Sequence, residues 1–421
     1  MPKIFLLINI VFISLLFSPN KLLSQINPEN TKFKHLNVDD GLSDNNVSAI
    51  LQDKEGFMWL GTADGLNKYD GYKFTIYRHN PSDSNSIGPG SISCIYQDRE
   101  GLIWIGASGS LTVMNNKTGK FKVYKSNPKD PNSLSNNLIM DIIEDKEGII
   151  WMSTYGGGLN KFDKKTGSFF AYKNDPQNPN SISSDFVENF FEDANGMLWI
   201  GTFESSKGGL DSFDKNSGKF THYLTAALNK SGDACQLIFN ILEDSNGTLW
   251  IGNGYDSDCG LIAFDKEKKT IIKKFIHDPK DKNSISNNIV RSLFDDSKGH
   301  IWAGTLNGLC ILDKLTGKFI VFKKDPNNSS SLSNSNITRI YKDNQGLIWI
   351  CTGGGGVNIY DRNNNNFIVF KNNPKNEKSL INNQVYSIYE DSKGILWMGT
   401  GGGGCQSLTK QQENSIFLKE K

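Results

Sequence analysis

Apolar positions recur along this chain in a fixed order relative to tryptophan. Twelve residues before each Trp stands Val or Ile: Val47, Ile92, Ile139, Val187, Ile238, Val290, Ile337 and Val385. Nine residues before it is a second apolar column, Ile50, Ile95, Ile142, Phe190, Ile241, Leu293, Ile340 and Ile388. Asp lies six residues and Gly three residues before every one of Trp59, Trp104, Trp151, Trp199, Trp250, Trp302, Trp349 and Trp397. Asp145-Lys146-Glu147-Gly148 shows the pattern, and apolar residues flank the ring, as in Leu198-Trp199-Ile200 before Gly201-Thr202.

A run rich in Val, Ile and aromatics, then Asp-x-x-Gly, then a second such run predicts two strands joined by a tight turn. Asp accepts backbone N–H groups in the turn and Gly supplies positive φ, so this Asp reads as structural rather than catalytic. A Gly-rich stretch leads to a third strand ending in Asp, as in Leu159 to Asp163, and a Lys-Thr-Gly turn leads to a fourth with Phe169, Phe170 and Tyr172. Pro, Asn and Ser in the next connector, such as Asn127-Pro128, keep it out of the sheets.

Each unit is therefore a four-stranded antiparallel meander. Successive tryptophans lie 45 to 52 residues apart, the period of propeller blades. The fold class is all-β, a β-propeller of eight repeat units. One Trp per unit at the same strand position fills the space between neighbouring sheets, where its large apolar area packs best; an array for stacking sugars is the weaker reading.

Residues 33–38, Phe33 to Val38, have the spacing of a fourth strand, and the last unit reads Glu413-Asn414-Ser415-Ile416 where others have Gly-x-Phe. The expectation is that residues 33–38 complete the last blade, closing an eight-bladed ring over 33–409 and removing a sheet edge. A seven-bladed ring with one spare unit fits the same period.

At the N-terminus a basic residue, an apolar run from Ile4 to Phe17 and small residues near Ser24 predict a signal peptide over 1–24. The run is short for a membrane span, and no Cys near its end suggests lipid anchoring. A short linker (25–32), the propeller (33–409) and a polar tail with a degenerate strand (410–421) follow, with no membrane span expected in the mature, exported chain. With 46 basic and 45 acidic residues, no electrostatic footprint for nucleic acid exists. Cys94, Cys310, Cys351 and Cys405 fall in or beside strands of different units, whereas Cys235 and Cys259 fall in loops on one face of the fifth, a placement that permits a disulfide in an oxidising compartment.

The repeated Asp-x-x-Gly-x-[Leu/Ile]-Trp-[Ile/Leu/Met]-Gly-Thr-x-x-Gly-Gly-Leu-x-x-[Phe/Tyr]-Asp, with connectors like Asp325-Pro326 to Ser331-Leu332-Ser333, resembles the two-component regulator propeller repeats. These occur in the periplasmic sensor regions of hybrid two-component systems of Bacteroidetes-type bacteria. The resemblance covers almost the whole mature chain and implies a periplasmic ligand-sensing propeller, in many relatives one that senses oligosaccharides. Relatives usually carry two seven-bladed propellers, an immunoglobulin-like connector, a transmembrane helix and a histidine kinase. Kinase residues are not found before Lys421, so the expectation is either a binding propeller that acts through a partner, a membrane sensor kinase or second propeller, or the front end of a sensor.

No catalytic residue, metal site or cofactor is expected. His35, His79, His222, His277 and His300 scatter over the rim, and the five arginines, Arg78, Arg99, Arg291, Arg339 and Arg362, fall in dispersed blades. A propeller hydrolase or lyase would need convergent carboxylates or His/Tyr at the axis, which the aligned repeats do not offer. Binding is better supported, because function in a repeat protein sits where the copies disagree. The loop after the Trp strand disagrees most. There Tyr155, Phe203 and Tyr255, beside Glu204, Lys207, Asp256 and Asp258, form a candidate sugar platform, with aromatic faces for C–H groups and polar groups for hydroxyls. A protein-interaction platform is the alternative.

Overall fold

The computed structural model describes residues 31–224, 235–254, 259–361, 372, 379–392, 395–401, 404–409 and 416–419. The expected signal peptide, most of the linker and most of the tail lie outside the described residues. The chain divides into two compact units, Met1–Arg362 and Asn363–Lys421.

Eight four-stranded antiparallel sheets form, one per repeat, as the pattern predicts. In the third, the strands are Ile139–Glu144, Ile150–Thr154, Gly158–Asp163 and Ser168–Tyr172, paired in sequence order. The Asp-x-x-Gly turn is built as its residues dictate: Asp145 Oδ1 accepts the N–H groups of Glu147 (3.0 Å) and Ile149 (2.8 Å), and Gly148 sits at φ 83°. Its second oxygen takes the indole N–H of Trp151 at 2.7 Å. The same Asp–indole bond recurs at Trp59, Trp104, Trp199, Trp250, Trp349 and Trp397. The sequence reading assigned the Asp its turn but missed this second bond.

The tryptophans are wedges between sheets. Trp104 meets Phe162 of the next blade at 5.3 Å and Trp151 meets Phe213 at 5.8 Å, both edge to face. At Gly61, Gly106, Gly201, Gly252 and Gly304, each two residues after a Trp, the following blade closes in; a Cβ on Gly61 would lie 2.4 Å from Ile92 Cγ2. Lysines lock the other end of the interface. Lys164, Lys215, Lys266 and Lys314, each directly after a third strand, reach 3.1 Å to the turn Asp of the preceding blade, Asp98, Asp145, Asp193 and Asp244 respectively.

Closure takes the seven-bladed course. The strand Lys34–Leu36, within the expected 33–38, is an outer strand, but it pairs with Val357–Tyr360 of the seventh repeat and not with the eighth. The eighth sheet is completed by Ile416–Lys419. Contacts typical of successive blades recur between seventh and first: Trp349 packs edge to face on Tyr69 at 6.3 Å, the Asn344 N–H donates to Gln52 Oε1 at 2.8 Å, and the Thr338 hydroxyl donates to the Val47 carbonyl. The eight-bladed expectation misjudged this because strand spacing identifies an outer strand without naming its partner; the partner is fixed by how many sheets bring seventh and first into contact.

Candidate functional site

In all eight sheets the register between first and second strands slips at one place, between the residues twelve and ten before Trp. The residue between them, eleven before Trp, is the extra member of a β-bulge, a device that re-aims a side chain. In the ring this column reads Ser48, Ser93, Met140, Glu188, Phe239, Arg291 and Thr338, and all seven side chains line one cavity. Leu138, Tyr155, Phe203 and Arg339 complete its wall, which encloses about 420 Å³, within the range of small-molecule sites, about 300 to 1,000 Å³.

The column divides in two. Ser48, Ser93 and Thr338 donate their hydroxyls to the carbonyls of Ile92, Ile139 and Val47 in the adjoining blade, stitching the ring. Met140, Glu188, Phe239 and Arg291, in the third to sixth blades, are large and chemically different from one another. They make the cavity asymmetric: its aromatic and apolar residues come from the third to fifth blades, with Glu188 among them, and its arginines from the sixth and seventh.

Tyr155 and Phe203, proposed from sequence, do come together at this cavity, their ring centroids 6.2 Å apart. Phe203 also lies 5.0 Å from Phe239, and Tyr155 4.8 Å from Phe186. Glu204 and Lys207 do not join the wall: Glu204 accepts from the Ser184 hydroxyl at 2.6 Å, and Lys207 lies 3.6 Å from Glu204 and donates to Asn174 at 3.3 Å. Tyr255, Asp256 and Asp258 lie outside the described residues. Cys235 and Cys259 are joined by a disulfide.

Sequence reasoning missed the charged groups. Arg339 and Asp141 sit one position later in the column, ten residues before Trp. Burial pushes the Glu188 carboxyl up to about 7, opposed by Arg339, reinforced by Asp141 and opposed again by Arg291. Burial likewise raises Asp141 to about 6, against the pull of Arg339, backbone N–H groups and Asn189, whose amide donates to it at 2.6 Å. Glu188, Arg291 and Arg339 from dispersed repeats therefore meet at one cavity, and Asp141, which is not part of its wall, acts on Glu188 through its charge. A usable signal existed: the column eleven before Trp varies widely in size and charge between two columns, twelve and nine before, that stay apolar.

The histidines stand elsewhere. His35, His79 and His277 bond the carbonyls of Ser331, Ile87 and Ile285, and His222 and His300 bond Asp211 and Asp296 at 2.7 and 2.9 Å. A triplet of Asp145, Glu147 and Glu192 has metal-like spacing, but Lys215 lies among them, 3.1 Å from Asp145 and 2.7 Å from Glu192.

Fold and cavity define the class: a ring of seven four-stranded blades with a ligand-sized axial site, followed by one further sheet. The model of the two component regulator propeller matches at residues 41–64, 86–109, 133–156, 181–204, 233–255, 284–307, 331–354 and 379–402. The eight repeats place the chain in that family. The extracellular domain of the hybrid two component system BT3049 from B. thetaiotaomicron is similar in structure, with a TM-score of 0.67 and 27% identity over 93% of this chain and 55% of that one. Histidine kinase P4 of Formosa agariphila is 49% identical over 77 residues, 18% of this chain and 6% of the kinase. Virginiamycin B lyase from Staphylococcus aureus shares the fold at a TM-score of 0.58 and 16% identity, over 78% of this chain and 98% of the lyase. The chain thus spans about half of the Bacteroides domain and a small part of the kinase. It resembles the extracellular sensor domains of hybrid two component systems. Among the described residues no helix is long and apolar enough to cross a membrane.

Proposed function

We propose that this chain is a periplasmic ligand-sensing propeller that binds an oligosaccharide at the mouth of its axial cavity, without catalysis, and passes the signal through a kinase-bearing partner. The observation that carries this reading is the meeting of Tyr155, Phe203 and Phe239 over a cavity floored by polar groups. Aromatic faces take the C–H side of a sugar ring, and hydroxyls find partners among Glu188, Arg291 and Arg339. Tyr255, Asp256 and Asp258, on the corresponding loop of the fifth repeat, remain candidates for the same mouth.

Glycan-array binding followed by calorimetry tests this. A bound oligosaccharide is expected, with Phe203→Ala weakening it about tenfold, about 1.4 kcal/mol. Release of reducing ends or of unsaturated sugar by the wild-type chain would replace sensing with catalysis at this cavity. Binding indifferent to Phe203→Ala would move the ligand off this face.

A further inference from the structure

We propose that the axial cavity is made for an anionic sugar, one bearing a carboxylate or a sulfate ester, gripped between Arg291 and Arg339. This rests on the oligosaccharide reading and names its chemical class.

The choice of cation is the first support. The chain has 41 lysines and five arginines, yet both cations in the cavity wall are arginine and come from neighbouring blades, the sixth and seventh. Arginine's planar fork matches the paired oxygens of carboxylates and sulfates, which a lysine does not. Their present bonds leave most of that capacity unused. Arg291 Nη1 donates to Asn336 Oδ1 at 3.1 Å and the guanidinium lies 5.9 Å from the Phe239 ring; Arg339 Nη1 donates to its neighbour Thr338's carbonyl at 3.1 Å. A guanidinium has five N–H donors, and among the described residues these bonds go to an amide and a carbonyl, not to a carboxylate.

The counter-charges are placed so as not to block the fork. Asp141 is occupied by the Asn189 amide. Glu188 faces Asp141 of the third blade, Arg291 of the sixth and Arg339 of the seventh, and burial holds part of its population protonated near neutrality. The cavity then carries net positive charge between low-dielectric walls, which concentrates anions. On the third to fifth blades, Tyr155, Phe203, Phe239 and Met140 present the apolar surface that a pyranose ring's C–H face requires. The two sets of residues together suit a ring with an anionic substituent on its edge.

The test is calorimetric titration of the whole chain with three sets of oligosaccharides of equal length: oligogalacturonates, sulfated galactan oligomers and neutral galactan oligomers. One anionic set is expected to bind at least thirtyfold tighter than the neutral set, and the set that binds identifies carboxylate or sulfate. Arg291→Gln and Arg339→Gln should each weaken it tenfold or more without lowering the melting temperature measured beside them. Glu188→Gln should tighten binding severalfold at pH 8 and leave it unchanged at pH 5.5, a response that a purely structural Glu188 would not give. Equal binding of neutral and anionic sets, unaffected by either Arg variant, overturns the inference while leaving the oligosaccharide reading intact. No binding of any set, with neutral and acidic glycans alike absent from array hits, overturns both.

Discussion

The first seven sheets and the eighth share one sequence pattern and differ in what covers it. Val47, Val187 and Val290 are fully buried in the ring, while Val385, in the same column, is 37% exposed. Ile142 is 2% exposed and its counterpart Ile388 66%. Tyr386 and Tyr389 of that strand are exposed as well. Yet Asp391 still accepts the Trp397 indole N–H at 2.9 Å and the Ile395 backbone N–H at 3.0 Å. The turn and its Asp–Trp bond are local and form in either setting; burial of the inner strand is a property of a ring.

The largest effect expected from this difference separates two equivalent alanine substitutions. Ile142→Ala should cost about 2 to 5 kcal/mol, as for a well-packed core site, and Ile388→Ala no more than about 0.5 kcal/mol, as for a surface site. Urea unfolding measures both, and similar costs would erase the distinction.

The next effect lies at the axis and depends on pH. Glu188 titrates near 7 in the folded chain against an ordinary value of 4.5, so between those values the folded state binds more protons than the unfolded one. Stability from this group is complete below about 4.5 and declines as pH rises through 7. Glu188→Gln removes the decline and should stabilise the ring by about 1 to 3 kcal/mol at pH 8, with little change at pH 4.5. A gain that is equal at both pH values would show that burial of the charge is not its source.

The smallest effect concerns the one ring blade that breaks the Asp–Trp rule. In the sixth, His300 takes Asp296 Oδ2 at 2.9 Å, and the buried Trp302 indole N–H finds no partner among the described residues. Burial works against the Asp296 charge, but the His300 ring and the N–H groups of Lys298 and His300 hold its carboxyl well below the usual range. His300→Leu, giving the residue found at the same place in Leu102 and Leu347, should return that oxygen to Trp302 and add about 0.5 to 1.5 kcal/mol. Thermal unfolding reads this, and a loss of stability would mean the His–Asp pair is worth more than the indole bond.

What the sequence could reveal follows the same line between local and ring-level structure. Blades, turns and wedges were legible because Asp, Gly and Trp act within one hairpin. Closure was not, since Lys34 to Leu36 can pair with any bare third strand, and only packing of seventh against first selects Val357 to Tyr360. Of the candidate site, Tyr155 and Phe203 were found because loops after the Trp strand vary visibly. Glu188, Arg291 and Arg339 were hidden inside strands whose apolar columns drew attention to packing, and the bulge that turns one residue per blade inward shows only as the three-residue step between those columns, where strict alternation would give two.

The most direct test of the account is amide hydrogen exchange with and without a saturating oligosaccharide taken from the calorimetric panel. Inner strands expose one edge to the axis, so added protection is expected over residues 187–192, 238–243, 290–295 and 337–342, and none over 385–390. Protection confined to 385–390, or to the Asp-x-x-Gly turns, would contradict an axial ligand site.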